Sequence, residues 1–390
     1  MRKLLPLLLA LVIALIPATL FAQDSDEPVV FCGDLDDAQC EILTEAARLG
    51  EEQTSGSYDS LITMLLSGIP EAPFDEIDVV WNQIGAYVMD PDFAAEMNGM
   101  EDEEIMAMMG DPEQSFALLM DLFDMTDMEH ETNIVLGQET ADLLSANIGY
   151  PIPTEISVRY VVVGGNGYVN LDDLAEFIPE LSGYSGWIGT ELRPVLEYVM
   201  ENTDMEAAGE DEMAQMQMFG GMFMPKASME IFGDYMDIEQ IEEEPAVFHT
   251  TFDLPGFVTS PMFMDLVVAA VEASGESINP GDLAQVQTML PMVAPMIFSG
   301  LDVSTDLVID TESGYAIESA STFEWDLSGL ISMAAMAGIP AGPAGVDSLV
   351  IFNTDNVYGG FNAIDAIEAP ENALLVPGET VVDMIEASAE

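Results

Sequence analysis

Basic residues, histidine and cysteine are all scarce in this chain, and each scarcity excludes a class of function. Six Lys and Arg residues accompany 72 Asp and Glu, so the formal net charge is −66. Nucleic acids and anionic membrane surfaces are bound through clustered cations, which this composition does not supply. Two His and two Cys among 390 residues argue against a His/Cys metal cluster and against a catalytic Cys–His pair.

The motifs of common catalytic sites are missing too. The sequence contains no Gly-x-Ser-x-Gly nucleophile elbow and no Gly-x-x-x-x-Gly-Lys phosphate loop. Pairs of carboxylates carry no information in a chain with 72 acidic residues. We expect His130, in an acidic stretch, and His249, in a strand pattern, to be ordinary surface or sheet residues. The sequence therefore predicts a protein that is not an enzyme and has no catalytic residues, no cofactor and no metal ion.

What the chain does contain at its start is the pattern of a secretory signal peptide over residues 1–22. A short basic segment precedes an apolar run over residues 4–16, and Pro17 ends the run. The run is shorter than the roughly 20 apolar residues that span a bilayer, which favours cleavage near Ala22 over a membrane anchor. We therefore expect a secreted protein, extracellular or periplasmic, with no transmembrane segment after signal cleavage.

Cys32 and Cys40 form an isolated pair in the segment that follows. In an exported protein such a pair is most simply one disulfide, because the compartment is oxidising. Asp34 is expected to cap a helix that runs to about Arg48. Residues 23–53 are thus predicted to be a disulfide-bearing N-terminal helical segment.

Beyond residue 54 the strongest signal is alternation of apolar and polar residues, which predicts strands with one buried face. The best example is a hairpin whose strands flank the turn Gly164–Gly167. The other predicted strands lie at 61–66, 77–81, 236–240, 248–254, 303–309, 317–327 and 349–352. Alternation of this kind indicates an antiparallel sheet.

Helices are predicted between the strands. Ser260 and Pro261 are a cap and a first-turn proline for a helix over 262–273, and residues 282–289 also have a helical pattern. Pro291 is expected to interrupt the apolar run that follows. The predicted fold class is α+β, a curved antiparallel β-sheet (half-barrel) covered by helices in one domain over 54–375, with a C-terminal tail over 376–390.

Methionine is unusually abundant, and many of its 28 residues lie in two predicted helical insertions near 91–130 and 200–226. Flexible Met side chains pack irregularly and line adaptable cavities, so amphipathic helices are the simplest interpretation. The alternative is a thioether site for Cu(I). Thioethers usually bind copper together with His or Cys, and His130 is the one such residue near the first insertion.

Several strand blocks carry a resemblance to a known class of exported proteins. They are Val158–Val163 with Gly167–Leu171, Gly186–Gly189, Phe248–Leu254, and Leu307–Asp310 with Gly314 and Tyr315. Together they resemble the lipoprotein-carrier superfamily of LolA-like and LppX/LprG-like proteins. That resemblance implies a half-barrel closed by helices around an apolar cavity for acyl chains. The chain departs from the family in lacking a lipobox cysteine and in its Met-rich insertions. The segment Cys32–Leu35 also resembles uncharacterised exported bacterial proteins.

These observations favour a secreted, non-enzymatic protein that shelters a hydrophobic small molecule or lipid. We expect the ligand to lie between the concave sheet face and apolar helices. The predicted ligand-binding residues are Tyr160, Val162, Phe252, Phe323 and Trp325 on strands and Met289, Met292 and Met296 on a helix. The alternatives are an exported structural or interaction protein with a filled core, a Met-rich copper-binding protein and, last, a hydrolase.

Overall fold

The structure is a computed structural model, and it describes residues 30–68, 75–100, 108, 112–148, 151–172, 185–202, 232–264, 268, 280–298, 300–329, 331 and 348–389. The predicted signal peptide and almost all of the insertion predicted near 200–226 lie outside the described residues.

Twelve strands form one sheet in the order β12-β6-β5-β4-β3-β2-β1-β11-β10-β9-β8-β7. Every neighbouring pair is antiparallel except β12 with β6, which is parallel. The strands are β1 Ser55–Ser67, β2 Glu76–Met89, β3 Thr126–Leu136, β4 Glu155–Val163, β5 Asn166–Asn170, β6 Trp187–Glu191, β7 Met236–Glu243, β8 Ala246–Phe252, β9 Leu301–Ile309, β10 Ala316–Asp326, β11 Leu349–Gly359 and β12 Leu374–Val376. The sheet is open rather than closed into a barrel, and the predicted α+β class is confirmed.

The sheet consists of two runs of sequential strands joined at one place. Strands β1 to β6 follow one another in space as in sequence, and so do β7 to β11. The two runs meet where β1 pairs with β11, in a register that extends from Ser57 opposite Gly359 to Ser67 opposite Leu349. Local hairpins therefore build each half, and a single long-range pairing joins them.

The described helices are α1 Asp37–Glu51, α2 Pro91–Asn98, α3 Pro112–Met125, α4 Gln138–Ile148, α5 Leu192–Asn202, α6 Leu254–Val258, α7 Pro280–Ile297 and α8 Gly378–Ala389. Several of them pack on the sheet face that carries Tyr58, His130 and Phe248, which we call the covered face. The opposite face carries Asp59, Glu129 and other acidic residues. None of the described helices is long and apolar enough to cross a membrane.

Three helical predictions differ from the structure at their boundaries. The cap of α1 is Asp36 rather than Asp34, because Asp36 accepts hydrogen bonds from Ala38 N and Gln39 N while the Gln39 side chain bonds back to the Asp36 N–H. The same helix continues past Arg48 to Glu51. Pro291 and Pro295 lie inside α7 instead of ending it. Both prolines are exposed, and each removes one hydrogen bond from the helix without ending it.

Two segments form regular elements that differ from the prediction. Strand β3 occupies the end of the insertion predicted near 91–130, and it pairs with both β2 and β4. The residues predicted to be a C-terminal tail, 376–390, contain helix α8. This helix packs beside α5, where a Cβ at Gly378 would lie 2.9 Å from Pro194.

Cys32 and Cys40 are joined as predicted, with their Cα atoms 5.4 Å apart. The bond ties the chain that enters α1 to the first turn of the helix. We expect the Cys32→Ser/Cys40→Ser variant to lose about 2.5 kcal/mol of unfolding free energy, because its unfolded chain is no longer cross-linked. Urea unfolding of the oxidised protein and the variant measures this loss. A reductant should lower the midpoint of the parent protein alone; equal midpoints with and without it would contradict the prediction.

Candidate ligand-binding cavity

A cavity of about 380 Å³ lies between α1, α2 and the covered face of the sheet. Its walls come from the C-terminal half of α1, from α2 with the end of β2, and from β9, β10 and β11 with the adjoining turns. We call it the α1–α2 cavity. Its volume falls within the range of about 300–1,000 Å³ that is usual for small-molecule sites.

Helix α1 is held on the sheet by a buried apolar cluster. Leu43 and Ala46 on α1 pack against Ala246, Phe248 and Ile309 of the sheet. Phe248 is 1% exposed, and Ala246 and Ile309 are fully buried. Residues one turn further along α1, among them Ala47 and Gly50, then face the cavity. Tight packing at one end of the helix thus positions its other end as a cavity wall.

Helix α2 supplies the facing wall. Asp90 caps it by accepting hydrogen bonds from Asp92 N and Phe93 N, and Pro91 occupies the first turn. Ala94 and Met97 on this helix pack with Met89 of β2 in a second buried cluster. The same three residues line the cavity, so its wall is apolar on this side.

Four aromatic rings complete the walls. Tyr87 and Tyr358 lie on β2 and β11, whereas Tyr315 and Phe361 lie in the turns after β9 and β11. Tyr315 and Phe361 stack with ring centroids 4.3 Å apart and planes 4° from parallel. Burial raises the pKa of Tyr87 to about 12, so its hydroxyl stays protonated at neutral pH.

Among the described residues that line the cavity, one side chain is charged, Glu51 at the end of α1. Burial raises the pKa of the Glu51 carboxyl, and the neighbouring Glu52 adds to the effect. Arg48 is the nearest cation on the helix, and it is paired with Glu45 and Glu52. Within the described ranges no three His, Cys, Asp or Glu side chains are grouped as metal ligands.

A chain of polar side chains leads from the cavity across the covered face. The Tyr358 hydroxyl and Ser319 Oγ lie 3.2 Å apart at the cavity wall. Asn356 Nδ2 donates to Ser319 Oγ over 3.1 Å, and Ser60 Oγ donates to Asn356 Oδ1 over 2.6 Å. The covered face is therefore polar across its middle strands and apolar where helices pack on it.

His130 lies in this polar region and is buried, with 4% of its surface exposed. Its Nδ1 is 2.6 Å from the Tyr58 hydroxyl and its Nε2 is 2.7 Å from Thr132 Oγ1. The Tyr160 ring lies against it, with centroids 4.8 Å apart. Burial lowers the pKa of His130 to about 4, so the imidazole is neutral at pH 7. The prediction of an ordinary sheet residue holds for its strand position, but His130 is not on the surface.

Gly85 makes the contact between Tyr58 and His130 possible. Strand β2 lies between β1 and β3, and Gly85 is directly opposite both Tyr58 and His130. A Cβ at Gly85 would lie 2.6 Å from the Tyr58 ring and hydroxyl. The Tyr58 side chain therefore crosses β2 over the space that a side chain at residue 85 would fill.

The five predicted strand residues lie on the covered face, but in separate clusters. Val162 is 4% exposed and packs with Met120 and Phe123 of α3, and Tyr160 packs against the same cluster. Phe252 packs against Phe232 and Phe257, beside a shallower groove of about 270 Å³.

Phe323 and Trp325 lie near the C-terminal end of β10. Phe323 is opposite Phe352 and Val303, and Trp325 stacks on Phe298 and donates from Nε1 to Ile297 O over 3.1 Å. The predicted helix residues are on α7. Met289 is 49% and Met292 72% exposed, and the Met296 side chain is outside the described part. None of the seven predicted residues whose side chains the structure describes lines the α1–α2 cavity.

The cavity residues were missed because they come from helix ends and turns, where alternation gives no signal. Their one sequence signature is aromatic residues beside turn residues: Tyr315 follows Gly314, and Phe361 follows Gly360 and precedes Asn362. All three turn residues have positive φ, between 51° and 80°. Such residues mark tight turns but do not show which strands the turns join.

Comparisons with known proteins add little. No known protein family matches the sequence, and no curated protein matches it. Among solved structures, the chain is similar to a β-barrel-like protein of a domain of unknown function from Brucella abortus, with 8% identity over 79% of this chain and 98% of that one. The TM-score is 0.14, too low to support an argument about fold or function.

Proposed function

We propose that this protein is an exported, non-enzymatic binding protein that shelters a hydrophobic small molecule in the α1–α2 cavity. The observation that carries the proposal is the cavity itself, whose walls are mostly apolar and whose volume is about 380 Å³. Each methylene group that a ligand buries contributes about 0.8 kcal/mol, so a short chain suffices for measurable binding. Export agrees with the disulfide and with the signal pattern over residues 1–22.

The residues of the cavity wall can accommodate ligands of different shapes. Met89 and Met97 are flexible side chains that repack around different shapes. The resemblance to lipoprotein carriers supports the same class of ligand, although the cavity lies beside α1 rather than at the predicted strand residues. Mass spectrometry of organic extracts of the native protein should detect a co-purifying apolar compound in a stoichiometric amount.

A larger side chain in the cavity wall tests whether a ligand binds in this cavity. We expect Ala47→Phe to weaken binding of the neutral fluorescent dye N-phenyl-1-naphthylamine at least tenfold, because the new ring fills the space that the dye needs. Dye fluorescence titration measures the dissociation constant. Ala38→Phe is the matched control, since Ala38 is exposed near the start of the same helix and does not line the cavity. Equal dye binding by Ala47→Phe and the parent would show that the dye binds elsewhere.

A structural or interaction protein is the second candidate, and the packing of the other clusters favours it. Val162, Met120 and Phe123 are buried and pack together, as a filled core requires. This function predicts that the native protein yields no co-purifying compound and binds no dye. The extraction and the dye titration therefore separate the two candidates.

A further inference from the structure

The charged group in the described wall of the α1–α2 cavity is acidic. Among the described residues that line it, Glu51 is the one ionisable acid or base apart from the tyrosines, and none of them is Lys or Arg. The guanidinium of Arg48 is held by Glu45 at 2.6 Å and by Glu52. An anionic ligand would therefore leave water without gaining a cationic partner among the described lining residues, whereas a cation would gain the Glu51 carboxylate.

The aromatic rings of the wall favour the same charge. Tyr87, Tyr315, Tyr358 and Phe361 all line the space that Glu51 lines. Faces of aromatic rings attract organic cations because the ring carries negative charge above its plane. Tyr315 and Phe361 stack on one another, which fixes their orientation. A carboxylate together with several rings is a suitable environment for an alkylammonium group.

The protein as a whole adds a long-range preference. The formal net charge of −66 repels anions and concentrates cations near the surface. A fatty acid, which the carrier resemblance would suggest, is therefore disfavoured both on approach and inside the cavity. The apolar part of the wall, at Met89, Ala94 and Met97, remains available for the hydrocarbon part of a ligand.

On the basis of the proposed binding function, we propose that the α1–α2 cavity selects hydrophobic compounds that carry a cationic nitrogen. The nitrogen lies between the Glu51 carboxylate and the aromatic rings, and the hydrocarbon part lies against α2. Because the Glu51 pKa is raised by burial, a cationic ligand also favours the charged form of this carboxyl.

Three probes with the same ten-carbon chain test the selectivity. Decyltrimethylammonium, 1-decanol and decanoate are compared by their displacement of N-phenyl-1-naphthylamine, with enough sodium chloride to screen the surface charge. We expect the ammonium to displace the dye at a concentration at least tenfold lower than the alcohol, and decanoate to be weakest. Glu51→Gln should reduce the advantage of the ammonium over the alcohol to less than threefold.

Glu41→Gln is the matched control, because Glu41 is exposed on the same helix and does not line the cavity. It should leave all three affinities unchanged. Equal displacement by the ammonium and the alcohol, or strongest displacement by decanoate, would overturn cation selectivity while leaving the binding function intact. An ammonium preference that survives Glu51→Gln would overturn the assignment to Glu51. Failure of the dye to bind the parent protein would instead overturn the proposed function, and the inference with it.

Discussion

Gly85→Ala is expected to lower the free energy of unfolding by about 3 kcal/mol. The added methyl group would lie 2.6 Å from the Tyr58 ring and 3.0 Å from the Glu129 carbonyl oxygen. Gly85 is in the middle of the sheet, so the closer of the two contacts is relieved only if the Tyr58 side chain moves. Overpacking of this kind costs about 1–3 kcal/mol, and separating Tyr58 from the buried His130 adds about 1–3 kcal/mol. Urea unfolding measures the sum.

A double-mutant cycle separates this explanation from a general intolerance of substitution. In a Tyr58→Ala background the ring is gone, and we expect Gly85→Ala to cost less than about 1 kcal/mol. Gly50→Ala in α1 is the matched control, because a Cβ at Gly50 has no atom within 4 Å. That control should be neutral or slightly stabilising. If Gly85→Ala still lowered the free energy of unfolding by the full amount in the Tyr58→Ala background, contact with Tyr58 would not be the cause of the loss.

His130 is expected to make the protein less stable as the pH falls from about 6.5 to about 4. The ordinary pKa of a histidine side chain is 6.5, whereas the pKa of His130 in the folded protein is about 4, because burial disfavours the imidazolium. Between these pH values the unfolded chain binds a proton that the folded protein does not. The contribution is therefore complete above pH 6.5 and is lost as the pH falls toward 4, with a total of about 3 kcal/mol.

Acidification from pH 6.5 to pH 4 also affects the carboxyl groups of this acidic protein. The contribution of His130 is therefore measured as a difference between two proteins. Unfolding free energies of the parent and of His130→Gln are compared at each pH, and the shared background cancels. The parent should lose about 3 kcal/mol more than the variant between pH 6.5 and pH 4. The groups that face the imidazole, Tyr58 and Tyr160, have pKa values raised by burial and stay neutral throughout. Parallel curves for the two proteins would contradict the prediction.

The hairpins of the sheet could be predicted because each depends on nearby residues. The turn between β4 and β5 follows from Gly164 and Gly165, whose φ angles are 55° and 73°. The strands on either side have the apolar alternation that buries one face. The pairings of β9 with β10 and of β7 with β8 are of the same local kind. These hairpins were predicted with nearly correct limits.

Strand β3 shows why other elements could not be predicted. Its inward positions include Thr126, His130 and Thr132, all of them buried. Burial therefore alternates along β3 although hydrophobicity does not, and residues 126–130 were predicted as the end of a helical insertion. His130, for example, is covered by the rings of Tyr58 and Tyr160, which the pairing of β1 to β4 brings against it. Such pairing is decided by the whole sheet and not by the segment itself.

The amino-acid sequence by itself determined the chemistry and the local structure of this protein. It set the acidic charge, the lack of common catalytic motifs, the disulfide between Cys32 and Cys40, and the hairpins of an α+β fold. Only the tertiary structure decided where a cavity lies, that His130 is buried, and that β1 pairs with β11. The physical reason is sequence separation, because turns and alternation depend on residues that are close in the sequence. The cavity contains both Glu51 and Phe361, which come together only when the two halves of the sheet join.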